Sequence, residues 1–109
     1  MKPEITYDDF AKLDLRIATV LAAREHPNAD KLMLLQIKLG DVEKQIVAGI
    51  RGHYTPEQLV GRQIVVVDNM AEAVIRGEES HGMLLAASDA AGVVLLRPDR
   101  ECEVGAVVK

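Results

Sequence analysis

The chain has 109 residues, of which 49% are hydrophobic, and its 13 Lys and Arg against 17 Asp and Glu give a formal net charge of −4. This length provides for one compact core, and we expect a single domain over residues 1–109. The negative net charge excludes a protein that coats nucleic acid indiscriminately, and with two Tyr, one Phe and no Trp the chain is poorly suited to stacking bases along a single strand.

The N-terminal segment predicts a helix and then a strand. Thr6 is a suitable N-cap for a short helix over residues 6–13, which has acidic residues in its first turn. Alternating apolar and β-branched residues predict a strand over residues 15–23. One face of this strand is expected to consist of Leu15, Ile17, Thr19 and Leu21.

The middle of the chain predicts two strands, a helix and a further strand. Turn residues at 26–30 separate the first strand from strands over residues 32–39 and 44–48. A cap, a proline and a terminating glycine predict a helix of one or two turns over residues 55–61. Residues 63–67 form a strong β run that is apolar on both faces, as in a central barrel strand.

The last clear strands are predicted over residues 83–87 and 93–96, with a turn at 89–92 between them. Short strands without βαβ spacing favour a small Greek-key barrel over a sandwich or a doubly wound fold. We therefore predict an all-β barrel of about five strands. A short N-terminal helix, a short helix between strands 3 and 4 and a C-terminal extension complete the prediction.

Four segments, in order, resemble the tRNA-binding domain family. They are DDFAKLDLRI (residues 8–17), HPNADKL (26–32), IVAGI (46–50) and RGEESHGMLLAA (76–87). The family includes the C-terminal dimerisation domain of methionyl-tRNA synthetase, free-standing structure-specific tRNA-binding proteins and a related export chaperone. The resemblance implies an OB-fold barrel whose additional C-terminal strands help to form a homodimer.

The resemblance also implies which residues contact RNA, beginning with Asn28 and Lys31 in the family's most recognisable loop. Lys31 presents a compact charge that suits a phosphate; the loop alone favours a tight turn with a solvated lysine, and the resemblance reverses that preference. Arg76 before Gly77 offers a planar fork for a phosphate or a guanine edge, against the alternative of a surface arginine on a turn. Asn69 is expected either to contact RNA or to order the neighbouring loop.

Ser80 and Met83 belong to an element that corresponds to Ser-Gln-Gly-Met in relatives. Ser80 is a small donor and acceptor, and Met83 is expected either to contact a base or, as we favour, to fill the core. His81 is interpreted as an ordinary exposed histidine. Relatives usually carry a proline and basic residues after the Asn, where this chain reads MAEAV over residues 70–74, so weaker and more salt-sensitive RNA binding is expected.

No catalytic, metal or cofactor site is expected. Glu78 occupies the position of the first glycine in a G-x-S-x-G nucleophile turn around Ser80. The histidines and Cys102, the single cysteine, lie in different predicted segments without metal-ligand spacing, and no disulfide can form within the chain. No apolar run approaches the about 20 residues that span a bilayer, and residues 1–6 lack a secretory signal, so a cytoplasmic protein without membrane contact is expected.

The leading hypothesis is a non-catalytic, homodimeric module that recognises tRNA shape and supplies tRNA affinity as part of, or in partnership with, methionyl-tRNA synthetase. The alternative is a chaperone-like dimer of the same fold that binds protein partners. Residues 2–6 resemble the junction that precedes this domain in methionyl-tRNA synthetases. This resemblance leads us to expect a fragment excised from a synthetase, with Met1 added, as one origin of the chain and a free-standing protein as the other.

Overall fold

The computed structural model describes residues 1–109 and contains two four-residue helices, α1 (Tyr7–Phe10) and α2 (Pro56–Leu59). Neither helix has the length to cross a membrane. The remaining regular structure is β. The strands are β1 (Leu15–Glu25), β2 (Met33–Leu39), β3 (Val42–Ala48), β4 (Gln63–Val67), β5 (Ala73–Ile75), β6 (Glu78–Ser80), β7 (Met83–Leu84), β8 (Ala86–Asp89), β9 (Gly92–Leu95) and β10 (Val107–Val108).

Side-chain caps define the start of both helices, as the sequence predicts. The Thr6 hydroxyl accepts a hydrogen bond from the Asp9 N–H at 3.3 Å at the start of α1. At α2, Thr55 and Gln58 form a reciprocal capping box, in which the Thr55 N–H donates to the Gln58 side chain at 2.8 Å. The two predicted helices are therefore confirmed, each shorter than its predicted range.

The main sheet is antiparallel and has the strand order β3-β2-β1-β4-β7, with β10 added beside the start of β1. The long strand β1 pairs with β4 along Leu15–Thr19 and with β2 from Thr19 to Glu25. A register shift between Val20 and Ala22 marks a β-bulge, which increases the local bend and twist of the strand. Because this bent strand pairs with β4 in its first part and with β2 in its second part, the sheet curls into the predicted all-β, OB-like barrel.

The predicted buried face of β1 needs correction. Leu15 and Ile17 are buried as expected, but Leu21 is 38% exposed, while Ala18 and Val20 lie in the core. The first half of β1 lies in the middle of the sheet and is covered on both faces, and the bulge after Val20 shifts the alternation beyond it. Simple period-two alternation therefore assigns the wrong residues to the core here.

The core fills the space enclosed by β1 to β4, with contributions from α2 and β9. Every residue from Ile64 to Val67 is buried, which confirms β4 as a central strand apolar on both faces. The largest fully buried core side chains are those of Met33, Leu35, Ile37, Ile46, Ile50, Leu59 and Ile64.

Three features of the C-terminal half were not predicted. Residues 73–80 form the hairpin β5–β6, and the predicted strand over 83–87 divides into β7, on the main sheet, and β8, which pairs only with β9. Strand β10 pairs with the start of β1. Arg16 stabilises that junction, because its guanidinium donates to Asp14 at 2.7 Å and to the Gly105 carbonyl at 3.2 Å. The hydrogen bond to Asp14 is the main cause of the raised pKa of Arg16.

Candidate nucleic-acid interface

Two connections of the barrel meet at one place on its surface. The first is the loop between β1 and β2 (residues 26–32), and the second joins β4 to β7 and contains the hairpin β5–β6. In OB-folds, these are the two loop positions that flank the oligonucleotide-binding face of strands 2 and 3. We call the exposed residues Asn28, Lys31 and Arg76, which lie on these connections, the loop–hairpin surface.

A buried histidine joins the two connections. His26 is 2% exposed, and its Nδ1 accepts a hydrogen bond from the Asn28 N–H at 3.0 Å. Because Nδ1 acts as the acceptor, the proton of the neutral ring is on Nε2, which donates to the carbonyl of Arg76 at 2.9 Å. Both ring nitrogens are therefore satisfied only by the neutral imidazole, and they fix the hairpin against the loop.

The hairpin turn places a strained residue at this contact. Arg76 has φ 51° and Gly77 has φ 85°, and the register Ile75↔Glu78 leaves only these two residues in the turn. Two consecutive positive φ values are typical of a type I′ turn, which favours Asn-Gly or Gly-Gly. The Arg76 guanidinium donates to the Asn28 carbonyl at 3.0 Å, so this residue is held at the turn by contacts of both its backbone and its side chain.

Arg51 orders the loop from another side. Its NH1 donates to the carbonyls of His26 at 2.9 Å and Ala29 at 3.2 Å, and its Nε lies 3.3 Å from a Glu25 carboxylate oxygen. Most of its donors are occupied within the protein, and Glu25 offsets its charge. No local pattern indicates this role, because Arg51 comes after the third strand and reaches the loop only in the folded chain.

The cations of the loop–hairpin surface have no acidic partner. Lys31 and Arg76 are exposed, and neither forms an ion pair within 4.0 Å, whereas Lys12, Arg16, Lys44 and Arg51 each do. An unpaired cation on an ordered loop is free to neutralise a phosphate without first breaking an ion pair. The structure therefore brings three predicted site residues, Asn28, Lys31 and Arg76, together on adjoining segments.

Asn69 is engaged within the protein. Its side-chain oxygen accepts from the Asp14 N–H at 2.9 Å, and its side-chain nitrogen donates to the Lys12 carbonyl at 2.7 Å. These bonds tie the end of β4 to the segment between α1 and β1. Of the two alternatives for Asn69, its contacts correspond to the ordering of a neighbouring segment.

Ser80 closes the barrel. It is 4% exposed, and its hydroxyl accepts from the Val47 N–H and donates to the Gly82 carbonyl, each at 3.0 Å. The next residue, His81, donates its N–H to the Gln45 carbonyl at 2.9 Å. These bonds connect β3 to the segment after β6, so the Ser80 hydroxyl is occupied in the barrel and faces away from solvent.

Met83 lies outside the core, contrary to the favoured expectation. It is 42% exposed and pairs with Val67 at the edge of the main sheet. The apolar neighbours Leu84 and Leu85 are only partly covered, because the short β7 is followed at once by the β8–β9 ribbon. Met83 is thus accessible, but it lies on β7 and not on the two segments that carry the loop–hairpin surface.

A second cluster, Glu72, Glu79 and His81, was not evident from spacing. Its potential ligand atoms lie within 4.8 Å of one another. The two ring nitrogens of His81 face different carboxylates, with Nδ1 3.5 Å from Glu72 and Nε2 3.4 Å from Glu79. Because each ring nitrogen faces a different carboxylate, we interpret this geometry as contacts of His81 with two acidic side chains rather than as a metal site.

Comparison with known proteins places this geometry in context. A family model described as "Putative tRNA binding domain" matches residues 15–107. The methionine–tRNA ligase of Thermococcus kodakarensis is 45% identical over 105 residues, and that of Pyrococcus abyssi is 48% identical over the same length. In both cases the match covers 96% of this chain but only 14% of the ligase.

Solved structures agree with the sequence relatives. A protein described as related to methionyl-tRNA synthetase, from Pyrococcus horikoshii, superposes with a TM-score of 0.92 at 32% identity, covering 99% of this chain and all of the other. The chaperone CsaA from Bacillus anthracis superposes with a TM-score of 0.89 at 37% identity, covering 98% of this chain and all of the other. The same fold is therefore found in proteins with two different descriptions.

Proposed function

This chain belongs to the tRNA-binding domain family, and from that membership we propose that it is a non-catalytic module that binds tRNA through the loop–hairpin surface. The observation that carries the proposal is the attachment of the Arg76 turn to the 26–32 loop by His26. This attachment presents Lys31 and Arg76 as unpaired cations on ordered backbone. An ordered surface loses less conformational entropy on binding than a mobile one.

The arrangement favours recognition of RNA shape over base sequence. Lys31 and Arg76 suit phosphate oxygens, and the loop–hairpin surface carries no aromatic residue on which a base could stack. Structured RNA presents phosphates at fixed spacing, which a pair of cations on ordered backbone can match. With a net charge of −4, the affinity depends on a few positions, and we expect it to fall as salt increases, with about one unit of slope for each phosphate contact.

We place this activity beside, or within, a methionyl-tRNA synthetase. The matched ligases are several times longer than this chain, which spans 14% of their length, so catalysis of aminoacylation would reside in a different part of such a protein. The role of this module is to raise tRNA affinity in cis or in trans, and a cytoplasmic location accords with that role. We further propose that residues 1–109 act as one domain.

A homodimer is part of the proposal, and the β8–β9 ribbon is the surface that we assign to a second copy. All four residues of β8 are exposed, and Val94 and Leu96 are 47% and 43% exposed. A dimer presents two binding surfaces to one RNA, which raises the effective concentration at the second. Sedimentation velocity should show a dimer that V94D dissociates. V42D, at the first residue of β3, which is 59% exposed, should leave it intact.

Gel-shift titration with bulk tRNA across a salt series tests the RNA-binding proposal directly. We expect binding at low salt, and we expect the logarithm of the binding constant to fall linearly with the logarithm of salt concentration. Unstructured poly-U should bind more weakly. Absence of binding to tRNA at low salt would overturn the proposal. Equal affinity for tRNA and poly-U would overturn recognition by shape.

A chaperone-like, protein-binding role is the second candidate. It is favoured by the likeness to CsaA from Bacillus anthracis and to the CsaA chaperone protein of Picrophilus torridus, the latter with a TM-score of 0.90 at 31% identity. The acidic balance of the chain also favours it. Suppression of aggregation of a denatured test protein by this chain, with no tRNA binding in the salt series, would select this function instead.

A further inference from the structure

A groove separate from the loop–hairpin surface contains three arginines. It is an open cavity of about 580 Å³ between the α2–β4 corner and the segment over residues 97–104. Its arginines are Arg62, Arg97 and Arg100, and its only large aliphatic side chains are those of Val60 and Val104. An apolar ligand would find little complementary surface there, so the groove is suited to a polar or charged ligand.

The wall that carries two of these arginines is fixed to the barrel. The Gln63 side chain donates to the Cys102 carbonyl at 2.7 Å and accepts from the Cys102 N–H at 3.0 Å. This reciprocal pair attaches the segment containing Arg97 and Arg100 to the first residue of β4. The backbone on both sides of the groove is therefore positioned before any ligand arrives.

The third arginine is oriented by its neighbours. The Arg62 guanidinium carbon lies 5.2 Å from the centroid of the Tyr54 ring, and Arg62 Nε donates to the Gln58 carbonyl at 3.4 Å. Stacking on the ring occupies a face of the guanidinium and leaves the terminal nitrogens in its plane available as donors. Arg62 is thus a fixed cation rather than a mobile surface side chain.

None of the three guanidinium groups lies within 4.0 Å of a carboxylate, although Asp99 and Glu101 line the same groove. Together these five side chains give a local charge of +1, from three arginines and two acids, within a chain of net charge −4. Arginine donors match phosphate oxygens in geometry as well as in charge.

We infer that this groove is a second anion site, which binds phosphate groups of the RNA backbone, and this inference rests on the proposed function. The RNA footprint then extends beyond the loop–hairpin surface. Arg62, Arg97 and Arg100 add phosphate contacts without base specificity. A chain with an acidic balance can bind RNA in this way because each of the two surfaces groups cations that have no ion-pair partner within the protein.

The test compares tRNA binding by the wild type, by R97Q/R100Q and by K2Q/K109Q across a salt series. K2Q/K109Q removes the same two charges at the termini, outside the groove, and controls for net charge. Arg97 and Arg100 are exposed, so both variants should retain the wild-type circular dichroism spectrum. The salt slope is the decrease in the logarithm of the binding constant per unit increase in the logarithm of salt concentration. It should be smaller by about two in R97Q/R100Q than in the wild type, and that of K2Q/K109Q should change by much less.

A second arm titrates inorganic phosphate into the wild type and follows amide resonances of Gln63 and Cys102. If tRNA binds and R97Q/R100Q has the same slope as K2Q/K109Q, the RNA assignment of the groove is overturned. Phosphate shifts that vanish in R97Q/R100Q, without a change in slope, would assign the groove to a free phosphate compound. If neither effect appears, there is no anion site. Failure of the wild type to bind tRNA would instead reject the proposed function.

Discussion

The imidazole of His26 donates through Nε2 to the backbone carbonyl of Arg76 at 2.9 Å, across a sequence separation of 50 residues. The return contact is made by the Arg76 guanidinium, which donates to the Asn28 carbonyl two residues after His26. These two bonds join the β1–β2 loop to the β5–β6 hairpin. They make the position of Arg76 a property of the tertiary structure rather than of its own turn.

Replacement of His26 by Gln should weaken tRNA binding without altering its salt slope. His26 lies beneath the proposed contacts, so its loss disorders Arg76 and Asn28 but removes no phosphate contact. Unpairing the buried groups should also lower the free energy of unfolding by about 1–3 kcal/mol. Gel shifts and urea unfolding measure the two effects.

The exposed His53 offers a matched control for this substitution. H53Q should leave both the affinity and the stability close to wild type. A reduced salt slope in H26Q would contradict a positioning role, because it would mean that His26 itself faces a phosphate.

Lys31→Ala and Arg76→Ala should each lower tRNA affinity and reduce the salt slope by about one unit. The Lys31 side chain has no ion-pair or hydrogen-bond partner within the protein, so its loss is expected in binding rather than in stability. Arg76→Ala also removes the hydrogen bond to the Asn28 carbonyl, so it is expected to lower stability as well. The double variant should show a reduction of about two. Unchanged slopes in both single variants would show that the contacts lie elsewhere.

The turn residues Arg76 and Gly77 should respond in opposite ways to substitution. Gly77→Ala places a Cβ on a residue with φ 85° and should destabilise the protein by about 1 kcal/mol. Arg76→Gly relieves the left-handed strain at φ 51°, so its melting temperature should be at least that of the wild type while tRNA affinity falls. A lower melting temperature for R76G would mean that the side-chain contact to Asn28 outweighs the backbone strain.

Ser80→Ala should lower the free energy of unfolding by about 1–3 kcal/mol, because the buried Val47 N–H loses its acceptor. Urea unfolding followed by circular dichroism measures the change. Ser88→Ala in the exposed strand β8 removes the same hydroxyl without unpairing a buried group and should be close to neutral. An equal response from the two variants would count against the role of Ser80 in closing the barrel.

Local patterns predicted most of the barrel. The N-caps at Thr6 and Thr55 and the apolar run over β4 are properties of neighbouring residues, so they could be identified before the chain was folded. The hairpin β5–β6 was missed because its strands have three residues each. Its Arg-Gly turn still carries a partial signal, since a glycine suits the second position of a two-residue hairpin turn.

The prediction of which β1 residues are buried was wrong for a different reason. Alternation assumes a straight strand with one buried face, whereas the bulge between Val20 and Ala22 and the cover on both sides of Ile17 and Ala18 depend on β2 and β4. Met83 was likewise assigned to the core from its residue type. Its exposure follows from the position of β7 at the edge of the sheet.

The sequence by itself determined the all-β class, the caps and the family, because these depend on residue type and on spacing along the chain. The tertiary structure decided what each polar side chain does. Ser80 and Asn69 are engaged by backbone groups 33 and at least 55 residues away, while Lys31 and Arg76 remain unpaired. Hydrogen bonds act over about 3 Å, so only the folded chain shows which donors are already satisfied and which remain available to a ligand.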